Sequence, residues 1–202
     1  MVTFDYIHDI QTVYRKVVNA TSRPGQLADL AEEVALLEED GKNDCPASFL
    51  LLALTLFDQE VTFAVMSKKA EVISKILNQF TYAKPVAIEQ ADYILILQDA
   101  GEGALQEAIG KAKSGTLRNP HTSASLIVEV EKVSNNQTLQ LKGPGIRTTA
   151  FIDVKTSEKW LELRQMKNRE YPLGVDFLFI DQEQQLLSLP RTTQISENRV
   201  IV

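Results

Sequence analysis

Apolar residues recur near the start of the chain at the spacing of a helix. Ile7, Ile10, Val13, Tyr14, Val17 and Val18 fall three and four positions apart, which predicts an amphipathic helix. Ser22-Arg23-Pro24-Gly25 is turn chemistry, so that helix ends near Thr21. The acidic residues Glu32, Glu33, Glu38, Glu39 and Asp40 read as a solvated face. A second helix is predicted from Pro46, whose missing N–H costs nothing in a first turn. It carries the run Phe49–Phe57, apolar nearly all round and therefore expected to be buried.

Val61–Met66 is short and rich in strand formers. Ser67 then reads as the N-cap of a helix whose Val72, Ile73, Ile76, Leu77 and Phe80 share a face. Tyr93–Leu97 is an uninterrupted apolar run, as expected of a strand covered on both sides. A short helix is predicted over 103–113. Beyond residue 120 strands dominate: Leu126–Val130, Thr138–Leu141 and Thr149–Val154, with Ser134-Asn135-Asn136 as a connecting turn. A helix over 157–169 follows, and Phe177–Ile180 and Leu186–Leu189 flank a hairpin turn at Asp181–Gln184. Alternating strands and helices followed by hairpins predict an α/β layer fold with a mixed sheet.

Composition narrows the class. The 202 residues are 44% hydrophobic and 24% charged, which excludes wholesale disorder and fits a single α/β domain spanning 1–202. Net charge −6 argues against nucleic acid as a partner, although a local basic pocket for an anionic small ligand stays open. The lone Cys45 excludes an internal disulfide. Neither a signal peptide nor the ~20 apolar residues of a membrane span is evident, so a soluble, cytoplasmic protein is expected.

Catalytic signatures are sparse. His8, His121 and Cys45 show no metal-ligand spacing, so no metal is expected. Gly101-Glu102-Gly103 follows a predicted strand and opens a helix, the setting of a dinucleotide fingerprint, but Gln106 stands where that motif needs Gly or Ala. Ser22, Arg23 and Gly25 offer a hydroxyl, a guanidinium and a turn suited to an anion or a partner. Gly143-Pro144-Gly145 allows positive φ or close backbone approach, in a hairpin or against a ligand. Asp176 opens a strand, as a loop-ordering acid or a base. Arg191 with Thr192 and Thr193 can hold a phosphate or carboxylate, or Arg191 can pair with an internal acid such as Asp176.

Taken in order, Tyr14-Arg15, Ser22-Arg23-Pro24-Gly25, Gly143-Pro144-Gly145-Ile146, Tyr171-Pro172-Leu173-Gly174-Val175-Asp176 and Leu189-Pro190-Arg191-Thr192-Thr193 resemble PhnH, the H subunit family of the bacterial carbon–phosphorus lyase system. The resemblance runs from about residue 8 to 195 and departs at Thr21, where a larger apolar residue is expected. It implies a three-layer α/β fold similar to the large domain of PLP-dependent transferases, with PLP absent. It further implies a homodimer and a core complex with subunits G, I and J. With the ATP-binding L subunit, that machinery displaces adenine from ATP to give ribose 1-phosphonate triphosphate, before the iron–sulfur J subunit breaks the C–P bond. No catalytic residue carries over; the matched positions become candidates for a shared surface or cleft. The residues alone leave open a stand-alone enzyme or binding protein for a phosphorylated small molecule, or a nucleotide module built on Gly101–Gly103.

Overall fold

The computed structural model describes residues 3–40 and 44–198. Helix α1 (His8–Ser22) is followed by strand β1 (Leu27–Asp29), α2 (Ala31–Asp40) and α3 (Ala47–Leu56). Then come β2 (Thr62–Met66), α4 (Ala70–Thr81), β3 (Lys84–Pro85), β4 (Tyr93–Ile96) and α5 (Ala104–Lys111). The remainder holds β5 (Ser125–Val130), β6 (Lys132–Lys142), β7 (Ala150–Lys155), α6 (Leu161–Lys167), β8 (Asp176–Asp181), β9 (Gln185–Leu189) and β10 (Gln194–Glu197).

Seven strands form a mixed sheet in the order β1-β9-β8-β5-β4-β2-β3. The block from β3 to β8 is parallel, while β9 and β1 add antiparallel at one edge. A small antiparallel sheet, β10-β6-β7, lies apart from it in the hydrogen-bond ladder. Strand residues alternate between two cores. Phe63, Leu95, Ile127, Leu178 and Ile180 face Val13, Val34, Phe49 and Leu77 of α1 to α4. Ala64, Ile94, Leu126, Phe177 and Phe179 face Leu105, Trp160 and the small sheet's Leu141 and Ile152. Burial on both faces explains why these strands read as continuous apolar runs.

Several expectations need correction. Ser134–Asn136 is no turn: β6 runs through it, with a register shift against β7 between Ser134 and Leu139. The side-chain amide of Asn135 donates to the Gly25 carbonyl at 2.8 Å and to the Phe151 carbonyl of β7 at 3.2 Å, so its polar group is satisfied within the strand. Leu126–Val130 and Thr138–Leu141 therefore sit in different sheets, with Glu131 alone between β5 and β6. The acidic 31–40 segment is a helix, and its Glu33 is buried, because Lys16 of α1 bonds both carboxylate oxygens at 2.6 and 2.8 Å. The Asp40 side chain lies outside the described residues. Ser67 is not the N-cap of α4; Lys69 is, while the Ser67 hydroxyl accepts the Lys69 N–H and donates to Asp99. The last helix begins only at Leu161, after Trp160.

Candidate functional site

Register places the singled-out residues along the sheet edge where the parallel strands begin. Phe177 pairs with Leu189, so Asp176 at the start of β8 lies beside Pro190-Arg191-Thr192 at the end of β9. Arg191 Nε donates to Asp176 Oδ1 at 3.2 Å, Nη2 donates to Oδ2, and Nη1 reaches the Pro120 carbonyl at 2.9 Å. The Arg191 backbone N–H adds a bond to Oδ1 at 2.6 Å. This is the fork-on-carboxylate geometry that arginine favours over lysine. It realises the internal pairing expected for Arg191, and it uses Asp176 as a loop-ordering acid.

Next to this pair lies a residue the sequence reading passed over. Arg164 is 2% exposed, and its guanidinium donates to the carbonyls of Thr193 and Pro190 at 3.2 and 2.7 Å. Its carbon Cζ sits 5.9 Å from the centre of the Phe177 ring. Burial pushes its pKa down to about 10, partly opposed by Asp176, so it stays cationic at neutral pH. The Asp176 carboxylate thus pairs with Arg191 and favours the charge on Arg164, whose guanidinium is solvated by main-chain carbonyls. Nothing in the local sequence of α6 marks Arg164 as buried.

The other candidates extend the same seam. Gly143 packs on the Thr192 carbonyl, where an added Cβ would lie 3.0 Å away. Gly145 has φ +80° and approaches Ser22, whose carbonyl oxygen would lie 2.1 Å from a Cβ. Only glycine tolerates that conformation at that distance. Gly25 sits against Ala150 and Leu141, and Ser22 Oγ donates back to the Asn19 carbonyl. Thr21, the departure from the family pattern, exchanges a 2.9 Å hydroxyl contact with Ser188 of β9. Arg23 projects exposed, with no partner among the described residues. Thr192, with Arg191, Asp176, Tyr171 and His121, lines a concavity of about 270 Å³.

A larger cleft of about 460 Å³ opens at the opposite edge, where β4 and β5 end. Ligands commonly bind at that edge of α/β sheets. Here it presents Glu102, Glu129, Glu131 and Glu158. The Glu158 carboxylate caps α5 by accepting the Leu105 and Gln106 N–H groups at 3.2 and 3.3 Å. An anion approaching Gly101–Gly103 therefore meets four carboxylates and a helix terminus already occupied, which disfavours the nucleotide reading.

Remaining nucleophile and ligand candidates are quiet. Burial pushes the Cys45 thiol up to about 12. His8 pairs with Asp5 at 2.8 Å on the surface. Among the described residues no group of three or more His, Cys, Asp or Glu is placed to hold a metal ion. Among them, too, no helix is long and apolar enough to cross a membrane.

Comparison with known proteins covers nearly the whole chain. The chain is 28% identical over 187 residues to a protein of Stutzerimonas stutzeri named as C-P lyase subunit protein HtxG, covering 92% of this chain and 85% of that one. It is 26% identical over 202 residues to the alpha-D-ribose 1-methylphosphonate 5-triphosphate synthase subunit PhnH of Rhizobium meliloti (strain 1021), covering 95% and 92%. The family profile described as bacterial phosphonate metabolism protein (PhnH) matches residues 3–196, and the chain belongs to that family.

Proposed function

We propose that this chain is an accessory subunit of a carbon–phosphorus lyase core complex in phosphonate catabolism. Its part is to support formation of ribose 1-phosphonate triphosphate from ATP and an alkylphosphonate, in the cytoplasm, as a homodimer that joins G, I and J subunits. The observation that carries this reading is the family match over residues 3–196, nearly the whole chain. The seam agrees with it: the carboxylate and guanidinium best placed for chemistry, Asp176 and Arg191, are spent on each other and on holding three segments together. The parallel block covered on both faces supports likeness to the large domain of PLP-dependent transferases. The cleft where β4 and β5 end is lined by carboxylates and carries no lysine among its lining residues, which does not fit a Schiff-base cofactor.

The test is co-purification of the tagged chain from its host grown on methylphosphonate, with mass determination of the complex. Recovery of G, I and J homologues supports the subunit reading. Recovery of the chain alone, with those partners demonstrably expressed, overturns it and directs attention to a ligand of its own.

A further inference from the structure

The outward side of α1 carries a second apolar stripe that the core does not use. Val13, Val17 and Ala20 turn inward and are buried. Ile7, at the N-cap, and Tyr14 and Val18 remain 76%, 52% and 46% exposed. With the exposed Gln11 they occupy positions 7, 11, 14 and 18, the alternating four-and-three spacing of a helix-pairing seam. No Lys, Arg, Asp or Glu interrupts that stripe, although a solvated helix face would normally carry such residues. Tyr6, which packs edge-on against Phe4 and is 44% exposed, adjoins its N-terminal end.

The spacing reads the same in both directions. Laid antiparallel on a copy of itself about a two-fold axis, the stripe puts Ile7 on the partner's Val18 and Gln11 on the partner's Tyr14, each contact occurring twice. That is the self-complementarity an isologous interface requires. Charge agrees with the antiparallel sense. Asp5 and Asp9 mark the N-terminal end of α1, while Arg15 lies at its midpoint and Arg23 at its C-cap. Both arginines are exposed, and neither forms an ion pair among the described residues. Antiparallel pairing sets the acids of one copy toward the arginines of the other and opposes the two helix dipoles. A parallel pair would instead align acids with acids.

We propose that α1 is the dimerisation helix, two copies of this chain pairing antiparallel along Ile7, Gln11, Tyr14 and Val18. The inference rests on the homodimer in the function proposed above and assigns its surface. It also gives the motif seam a neighbour: Ser22 and Arg23 at the end of α1, and the Gly143–Gly145 turn against them, lie at the margin of the interface beside the partner's N-terminal segment.

Light scattering on the full chain tests this. The parent is expected at twice the 22.6 kDa chain mass, and Val18→Glu and Ile7→Lys each at that mass alone. The double variant Ile7→Lys/Val18→Glu is expected to dimerise again, because each lysine then faces a glutamate of the other copy. These side chains are exposed on the protomer, so the monomeric variants should keep the parent's circular-dichroism spectrum and cooperative unfolding, with a urea midpoint that no longer rises with protein concentration as the parent's does. An equimolar mixture of Gln11→Cys and Tyr14→Cys should form a mixed disulfide on oxidation, while Tyr82→Cys, also exposed, should not; the buried Cys45 stays silent. A dimer that survives both single substitutions, or a failure of the mixed disulfide, overturns the α1 interface and leaves the homodimer. A parent that is monomeric at micromolar concentration overturns the homodimer as well, and co-purification reads the subunit role separately.

Discussion

Asp176 and Arg191 tie the first residue of β8 to the residues just beyond β9, and through the Pro120 carbonyl the same guanidinium holds the loop that leads into β5. One side chain therefore fastens three segments at a single sheet edge. The Arg191 and Asp176 side chains are 17% and 30% exposed, so the pair is largely withdrawn from solvent.

Removing one partner of such a pair leaves a charge without its counter-ion. Arg191→Ala is expected to cost roughly 2–4 kcal/mol, near the lower part of the range for buried pairs because Asp176 retains some water. Asp176→Asn keeps an acceptor for the Arg191 backbone N–H and should cost less. Urea midpoints of the two variants check the order; equal losses would contradict it.

Two glycines with similar backbone angles separate conformation from crowding. Gly145 and Gly103 have φ of +80° and +85°, but an added Cβ at Gly145 would lie 2.1 Å from the Ser22 carbonyl oxygen, and at Gly103 it meets nothing within 4 Å. Gly103→Ala is expected to cost about 1 kcal/mol, from the left-handed conformation alone. Gly145→Ala should cost clearly more and loosen the end of α1, seen as faster amide exchange around Ser22.

The Glu158 carboxylate serves as an intramolecular anion at the start of α5. Glu158→Ala is expected to lower stability by about 0.5–2 kcal/mol, as for loss of other N-terminal caps. The freed N–H groups should then make the melting temperature of the variant rise with added phosphate, while that of the parent stays flat. A parent equally sensitive to phosphate would show that Glu158 does not fill that position.

Asp92 gives a sign for acid sensitivity. Burial raises its pKa, but hydrogen bonds from Lys113 at 2.5 Å and from the Thr62 hydroxyl and N–H outweigh that and hold it below its usual 3.8. A carboxyl lowered on folding stabilises the native state above its unfolded value and loses that contribution as pH falls through the folded value. Asp92→Asn should therefore flatten the fall in stability as pH drops below about 5. Urea titrations across that range, parent against variant, measure the difference in slope.

Sequence periodicity foretold those parts of the fold whose burial follows one rule. Tyr93–Leu97 and Phe177–Ile180 lie inside the sheet, so their apolar runs announced strands. The helices α1 and α4 were announced too, but only part of each apolar face turns inward: Val13 and Val17, and Ile73 and Leu77, are buried, while Ile7, Tyr14, Val18, Val72 and Phe80 stay exposed. Arg191 was legible because an arginine past one strand end and an acid at another strand start are natural partners. What escaped depends on contacts distant in sequence. Glu33 looks solvated until Lys16 is brought against it, and Arg164 looks like a surface residue until two carbonyls of the 190–193 segment surround it. β1 has only three residues, too few for a period, and the Asn135 segment is held by side-chain bonds to the Gly25 and Phe151 carbonyls, one of them 110 residues away in sequence.

The edge contact between Thr21 and Ser188 joins residues 167 apart, and β1 completes its pairing with β9 in the same region. During synthesis, α1 through α4 emerge long before the strands that cover them. Val34 and Leu37 of α2 share one core with Leu178, Ile180 and Leu186, so that core is complete only once β8 and β9 are made. The nascent N-terminal half is therefore expected to expose apolar surface until the β8–β9 hairpin arrives. A ribosome stalled before residue 176 should carry a protease-sensitive, chaperone-bound intermediate, and release of the last hairpin should convert it to the resistant fold.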